Sequence, residues 1–563
     1  MILPVRLSIS RLRRALATAA ACTTILLLPA CQIPKLRNPQ QTAVLPATFN
    51  GAADAASSAQ LHVEEFYQDP ILSRLACLAV TNNRELKILE EEVQIARNEV
   101  ISRSGAYLPM LNFGFNAGTT KYSQFTLPGA SREDDPYRNG RLLPNPVPDF
   151  LGAFNLSWQI DIWRQLRNAR DAARQRYDAA VQRRNYFITR IVAEVAEGYY
   201  SLMALDQQLQ NLDTIIGLQE QSYKMARDRF DAGRGTELAV QRFVGEVRKN
   251  QSEKLIVRQE IIQVENRINF LLNRYPQTVE RFSAKFLDLE IQALNLGVPA
   301  QLLQNRLDVR EAERELEAAG LDVKVARARF FPTVNLTGQV GYDAFNPSYF
   351  FYPQAFVANA LGQLVVPFIN KRAIQADYMT ANARQLQTVY NYQRVVLNAF
   401  TEVVNWLFKI ENYRRSIDLK RQQLAALELS VGLATKLYFA GRVEYMDVLF
   451  AQRDFLDARR VLIQTKREQL TAVVKAYQAL GGGYLMNCPP QDAVAGNAAA
   501  IGAAAAMGAA GEMRLRGPES QPLLVPRRQI EIAPGPRPLP EPKLPEKIAR
   551  AAAPEPDPWV KAR

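Results

Sequence analysis

Apolar and polar residues alternate in four short stretches of this chain and follow a helical period almost everywhere else. In the first stretch, Leu111, Phe113 and Phe115 alternate with Asn112, Gly114 and Asn116. In the second, Phe150, Phe154, Leu156, Trp158, Ile160 and Ile162 share one parity, while Asn155, Ser157, Gln159 and Asp161 share the other. The third, residues 333–342, sets Val334, Leu336, Val340 and Tyr342 against Thr333, Asn335, Thr337 and Gln339. A fourth, with weaker alternation, covers about residues 356–368. Period two predicts strands with one apolar face and one small polar face. A long surface loop at residues 118–149 and a shorter one near 343–355 separate the members of each pair.

Between the strand pairs the chain is predicted to be helical. A first helical region runs from Glu64 to about Gly105, with a break near Asn82 and Asn83. No proline occurs between Pro148 and Pro276 or between Pro367 and Pro489. Helices are expected over about 163–230, from the Gly233 turn to about 274, over about 371–439 and over about 444–480. A helix of about 70 residues is about 105 Å long, several times a bilayer core, and these are too charged to lie in lipid. The last helix carries a heptad, Leu449, Leu456, Ile463, Leu470 and Tyr477, widened by Phe455 and Leu462, which suits packing along another helix. Each long helix could pack against two shorter ones placed end to end.

Two glycines punctuate the long helices. Gly441 sits in Tyr438-Phe-Ala-Gly-Arg-Val-Glu-Tyr-Met-Asp447 and Gly233 in Phe230-Asp-Ala-Gly-Arg234. Glycine takes the left-handed conformation that ends a helix, so each is expected to close a helical hairpin. The offset between them is 441 − 233 = 208 residues, while Pro332 lies 332 − 109 = 223 beyond Pro109. The shorter second loop explains the difference. The chain therefore reads as an internal duplication: residues 64–300 form a first repeat and 301–484 a second. A tail rich in Pro and Ala, residues 485–563, cannot bury a core. No function is assigned to it.

Four amphipathic strands of near-spanning length suggest a membrane barrel. Four strands alone leave open edges that a bilayer does not tolerate, so closure requires several copies, and three would give twelve strands. The rival arrangement is a soluble four-stranded sheet on a helical core.

At the N-terminus, Arg6, Arg11, Arg13 and Arg14 precede an apolar run over residues 15–28 that has the length of a signal peptide. It ends Leu28-Pro-Ala-Cys31, which resembles a lipobox with Pro29 in place of the usual small residue. Residues 1–30 are read as the signal and Cys31 as the lipidated residue, with a plain secretory signal as the alternative. Residues 31–63 read as a tether. Cys77 reads as a small core residue, and a Cys77–Cys488 disulfide is the less favoured alternative in an oxidising compartment.

The net charge of +13 does not point to nucleic acid, because basic and acidic residues are interleaved on helix faces. The single histidine, His62, has no partner pattern, and no phosphate-binding loop, zinc spacing or nucleophile elbow is present. Enzymatic, metal and cofactor readings therefore have no motif to stand on.

Several stretches together resemble the TolC/OprM family of outer-membrane efflux proteins across roughly residues 64–484. They are Phe66-Tyr-Gln-Asp-Pro70, Ser157-Trp-Gln-Ile-Asp-Ile-Trp163, Pro299-Ala-Gln-Leu-Leu303 with Asn305-Arg-Leu-Asp308, Ala328-Arg-Phe-Phe-Pro332 and Ala479-Leu-Gly-Gly-Gly-Tyr484. The lipobox and triple glycine favour the lipoprotein branch that serves resistance-nodulation-division pumps. The resemblance implies a homotrimer in which a twelve-stranded barrel in outer-membrane lipid stands on a periplasmic α-barrel. It implies docking to a periplasmic adaptor and an inner-membrane transporter, no catalysis, and no cofactor beyond lipid on Cys31. The implied function is an exit duct passing small molecules to the exterior; type I protein secretion and a non-transporting envelope scaffold are the alternatives.

The resemblance also assigns positions. Gly233, Arg234, Gly441 and Arg442 would meet the adaptor. Tyr438 and Asp447 match positions of the periplasmic gate, and here the gate is expected to rest more on aromatic packing of Tyr438 with Tyr445 than on charge. This chain departs from the pattern at Ala239, where a second aspartate would complete a double ring, at Phe450, where some relatives are acidic, and at Val443, the usual position of the arginine that partners Tyr438. The competing reading is that Asp447 only caps a helix start.

Overall fold

A computed structural model describes residues 33–40, 45–49, 58–132, 140, 143–289, 297–367 and 371–488. The expected signal peptide, Cys31 and nearly all of the tail lie outside the described residues.

Seven helices of 13 residues or more and four strands organise the described residues. Helix α1, Pro70–Asn82, starts with proline in its first turn behind Asp69, whose carboxylate accepts the Ile71 and Leu72 amides at 2.9 and 3.2 Å. Asn83 ends α1 and caps α2, Arg84–Gly105. Its amide oxygen accepts the Leu86 amide at 3.0 Å, and its amide nitrogen donates to the Leu271 carbonyl at 3.0 Å. The break expected at Asn82 and Asn83 is thus a capped junction. Strands β1, Met110–Thr120, and β2, Val147–Ile160, follow. Helix α3, Gln165–Asp231, is a single element of 67 residues, about 100 Å at 1.5 Å per residue. Its first turn is held by Asp161, which accepts the Leu166 and Arg167 amides at 3.1 and 3.0 Å. Helix α4, Glu237–Leu271, runs back from the turn.

The second half repeats the plan: α5, Leu307–Ala328, β3, Thr333–Ala344, β4, Phe356–Val365, α6, Arg372–Phe439, and α7, Tyr445–Leu480. Helices α2 and α5 start 307 − 84 = 223 residues apart, as do β1 and β3. The residue at the start of α5 that corresponds to Asn83 is consequently Arg306, whose side chain makes no capping bond.

The strands form one antiparallel sheet in chain order, β1-β2-β3-β4. Register pairs Phe113 with Phe154, Phe154 with Val340 and Val340 with Ala358. The sheet therefore keeps the apolar parity of all four strands on one face. That face is uncovered among the described residues: Leu111, Phe113 and Phe154 are 64%, 61% and 54% exposed. The outer edges of β1 and β4 have no strand partner among the described residues.

The long helices pack as their lengths require. The upper part of α3 lies against α2 and α5, tied by Arg184 to Glu90 and by Arg183 to Glu311. Its lower part lies against α4 and α7, where Asn250 donates to Gln219 at 2.8 Å and Lys475 pairs with Glu197. The main core gathers Phe66, Tyr199, Tyr200, Leu202, Ile268, Leu470 and Tyr477. Of the α7 heptad, Leu449, Ile463, Leu470 and Tyr477 are all buried.

The second repeat closes on itself near Arg306, which is 2% exposed. Its guanidinium bonds Asp308 at 2.6 and 2.9 Å, Glu402 at 2.8 Å and the Ala479 carbonyl at 3.0 Å. Burial opposes its charge, but the Asp308 and Glu402 carboxylates outweigh that and hold its pKa above the ordinary arginine value. The triple glycine follows at once. Gly481 has φ of +101°, and a Cβ there would come within 2.6 Å of the Asn305 carbonyl oxygen.

Two expectations are corrected here. Cys77 is not an unpaired core residue: it forms a disulfide with Cys488, with Cα atoms 5.5 Å apart. The reason is that residues after α7 return to the first repeat, where the Leu485 carbonyl accepts the Val63 amide at 3.0 Å and Glu64 accepts the Asn487 amide at 3.1 Å. The described parts of the segment read as a tether are also fastened. Ile33 and Leu36 pack with Val323, Phe330 and Tyr378. Asn382 clips both backbone groups of Arg37 at 3.0 and 3.3 Å, and Phe49 stacks on Phe400 with centroids 5.5 Å apart.

Candidate functional site

The hairpin turns are built twice with one geometry. After α3, Gly233 has φ of +70°, its amide donates to the Phe230 carbonyl at 2.9 Å, and the Arg234 amide donates to the Arg229 carbonyl at 2.8 Å. After α6, Gly441 has φ of +69°, and the matching bonds run from Gly441 to Tyr438 at 3.1 Å and from Arg442 to Leu437 at 3.0 Å. This is the paired-bond ending in which a left-handed residue satisfies the last helix carbonyls. Gly233 stands in open space and Gly441 has only the Arg229 guanidinium at 3.7 Å, so the positive φ alone demands glycine. Gly441→Ala is expected to cost about 1–2 kcal/mol through backbone strain, read as a lowered denaturation midpoint with the hairpin retained.

Arg234 and Arg442 are exposed at the two turns. Behind them a small core joins both hairpins: Ala226, Val240, Phe243 and Leu449, flanked by Tyr223, Phe230, Tyr445 and Met446. Tyr445 leans on Phe243 with centroids 6.4 Å apart. Gln452 donates to Ser222 at 3.1 Å across the same seam. Tyr438 is 7% exposed and lies under the guanidinium of Arg229, 4.5 Å from the ring centroid. The structure thus brings Tyr438, Tyr445 and Gly441 together with the first hairpin. It does not bring Arg442 or Val443 onto Tyr438.

Arg229 escaped the sequence reading because it belongs to the other repeat and aligns with Leu437 there. Only the observation that it stands four residues before Gly233 could have marked it. Asp447 is exposed, and its carboxylate accepts the Glu444 amide at 3.2 Å. The helix-capping reading therefore has its geometry. Ala239 is buried and bonded to Thr236, and Phe450 is exposed with Arg453 at 5.8 Å from its ring.

The other end of the long helices carries the sheet. On its apolar face, aromatic groups stand at both ends of the strands. At the helix-proximal end, Trp163 stacks on Phe331 at 4.7 Å and donates to the Pro332 carbonyl at 2.8 Å, and Trp158 donates to the Tyr107 carbonyl at 3.0 Å. At the loop end, Tyr342, Phe350, Phe351 and Phe356 cluster with centroids 5.2–6.3 Å apart. An apolar band between two aromatic rows is the exterior of an outer-membrane barrel. On the opposite face Asn112, Asn155, Gln339 and Asn359 stand in one register row across the sheet. The Asn359 amide donates to Gln339 at 3.0 Å.

Among the described residues no helix is long and apolar enough to cross a membrane. Nor is any group of three or more His, Cys, Asp or Glu placed to hold a metal ion.

Comparison with known proteins agrees with this arrangement. The family described as "Outer membrane efflux protein" matches residues 75–274 and 298–482. The chain is 28% identical over 468 residues to the cation efflux system protein CusC of Escherichia coli K12, covering 83% of this chain and 98% of that protein. It is 27% identical to the solvent efflux pump outer membrane protein SrpC of Pseudomonas putida, covering 77% and 91%. A crystal structure of CusC superposes with a TM-score of 0.69 at 25% identity, covering 79% of this chain and 99% of that one. With both halves of the duplication matched, the two-faced sheet and paired hairpins are those of a known class, and the chain belongs to the outer membrane efflux protein family.

Proposed function

We propose that three copies of this chain close one twelve-stranded barrel and one helical tube, forming the exit duct of a tripartite efflux system. The observation that carries this is the sheet: two faces of opposite character, aromatic rows at both ends and open edges on β1 and β4. Unpaired strand edges are not tolerated in lipid, and joining copies edge to edge removes them. The helices extend the lumen into the periplasm. There the turns at Gly233 and Gly441, with Arg234 and Arg442, meet a periplasmic adaptor that links the duct to an inner-membrane transporter of the resistance-nodulation-division type. The chain needs no catalytic group, since the transporter supplies the energy. Relatives named for cation efflux and for solvent efflux both resemble this chain in sequence, so family membership alone does not define the cargo.

The hairpin ends form the gate. Tyr438 and Tyr445 hold the second hairpin against the first, while Asp447 faces the entrance and caps α7. Asp447→Ala is expected to raise opening frequency or single-channel conductance. An unchanged channel would return Asp447 to the capping role alone.

Cys31 carries the lipid anchor. Ile33 and Leu36 lie on Phe330 and Tyr378, next to the Trp163–Phe331 stack at the base of the strands. Ile33, the first described residue after Cys31, thus lies near the base of the strands, which supports an anchor on that side. Cys31→Ser is expected to abolish labelling by palmitate, and persistent labelling would remove the lipid anchor from the account.

A further inference from the structure

The pairing registers assign every strand residue to a face, and the polar face has a charge pattern of its own. It carries eight carboxamides, among them the row Asn112, Asn155, Gln339 and Asn359, and no lysine or arginine. Its charged side chains are Asp149 and Asp343 alone. Leu151 pairs with Asp343 and with Asn116, and Asp149 pairs with Gly118, so both carboxylates stand toward the loop end of the strands. Asp149 is the diagonal neighbour of Asp343 across the β2–β3 pair. Because the helices leave from the opposite end of the strands, the loop end is the outer end.

We propose that Asp149 and Asp343 are specificity-determining residues of the barrel, making its outer lumen favour cationic and neutral hydrogen-bonding solutes over anions. In a trimer they become a collar of six carboxylates above a belt of twelve carboxamides, with no fixed positive charge on any strand. Charge of one sign in a channel with low-dielectric walls focuses the field and raises the local concentration of counter-ions. The amides below the collar offer donors and acceptors without regard to sign. Passage through this segment therefore depends on charge at the collar and on hydrogen bonding at the belt.

The test is local, so that the state of the periplasmic gate does not enter. Asn116→Cys places a thiol about 10 Å from Asp343, two strand spacings away, within a Debye length at 0.1 M salt. Cys77 and Cys488 are bonded to each other, and the full-length trimer in proteoliposomes is treated with cationic and anionic methanethiosulfonate reagents. The cationic reagent is expected to react about 10-fold faster than the anionic one, relative to a free thiol. Asp149→Asn with Asp343→Asn should collapse that ratio toward 1. Both changes are isosteric, and either single variant, expected to fall between, carries the test if the double variant fails to assemble. Phe113→Cys, on the apolar face, should react more slowly than Asn116→Cys with both reagents. A ratio indifferent to the two carboxylates, or faster reaction at Phe113→Cys, overturns the proposal.

Discussion

Arg306→Ala is expected to destabilise the protein by about 3–5 kcal/mol, the range for breaking a buried ion pair by removing one partner. The side chain is almost fully enclosed and satisfies Asp308, Glu402 and the Ala479 carbonyl together. Its loss leaves two carboxylates, to which the Val309 amide and the Asn398 side chain still donate, and a carbonyl without their shared cation where α5, α6 and the end of α7 meet. Arg306→Lys should be an intermediate case, because a point charge replaces the bidentate grip on Asp308. Replacing Arg306, Asp308 and Glu402 together by apolar residues should recover much of the loss. The measurement is the denaturation midpoint of each variant trimer at one protein concentration. A midpoint unmoved by Arg306→Ala would mean that this cluster does not hold the helices of the second repeat together.

The second large effect is expected from the disulfide. Cys77 and Cys488 are 411 residues apart in sequence, and closing so long a loop constrains the unfolded chain by about 6 kcal/mol in the loop-entropy treatment. Reduction, or the pair Cys77→Ser and Cys488→Ser, should therefore lower the denaturation midpoint substantially. The same reductant should leave the double variant unaffected. Reductant sensitivity that persists in the double variant would point to a different thiol.

Much of this architecture could be read in the sequence, and for identifiable reasons. The strands were visible because one face of each must be apolar for lipid while the other is small and polar, which imposes period two. The long helices were visible because proline is absent over more than a hundred residues, and the turns because only glycine accepts φ near +70°. The duplication was visible because Pro109 and Pro332 punctuate the same point of each copy.

The features that escaped depend on tertiary approach. Nothing local to Cys77 or Cys488 reveals that the chain end returns to the first repeat. Arg229 reaches Tyr438 only because α3 and α6 end side by side. Residues 33–49 look like polar linker until the groove along α6 that receives Ile33, Leu36 and Phe49 is known. The strands at both sheet edges have a complete face pattern, yet their missing partners belong to other copies of the chain.

The central claim is that three chains close one conducting barrel. The most direct measurement is planar-bilayer conductance of the detergent-purified protein, with the mass of the protein in the same preparation. The account predicts a trimer mass and discrete openings of low conductance that become more frequent in Asp447→Ala. A soluble monomer without conductance would contradict it, because the sheet would then have to cover its apolar face within a single chain.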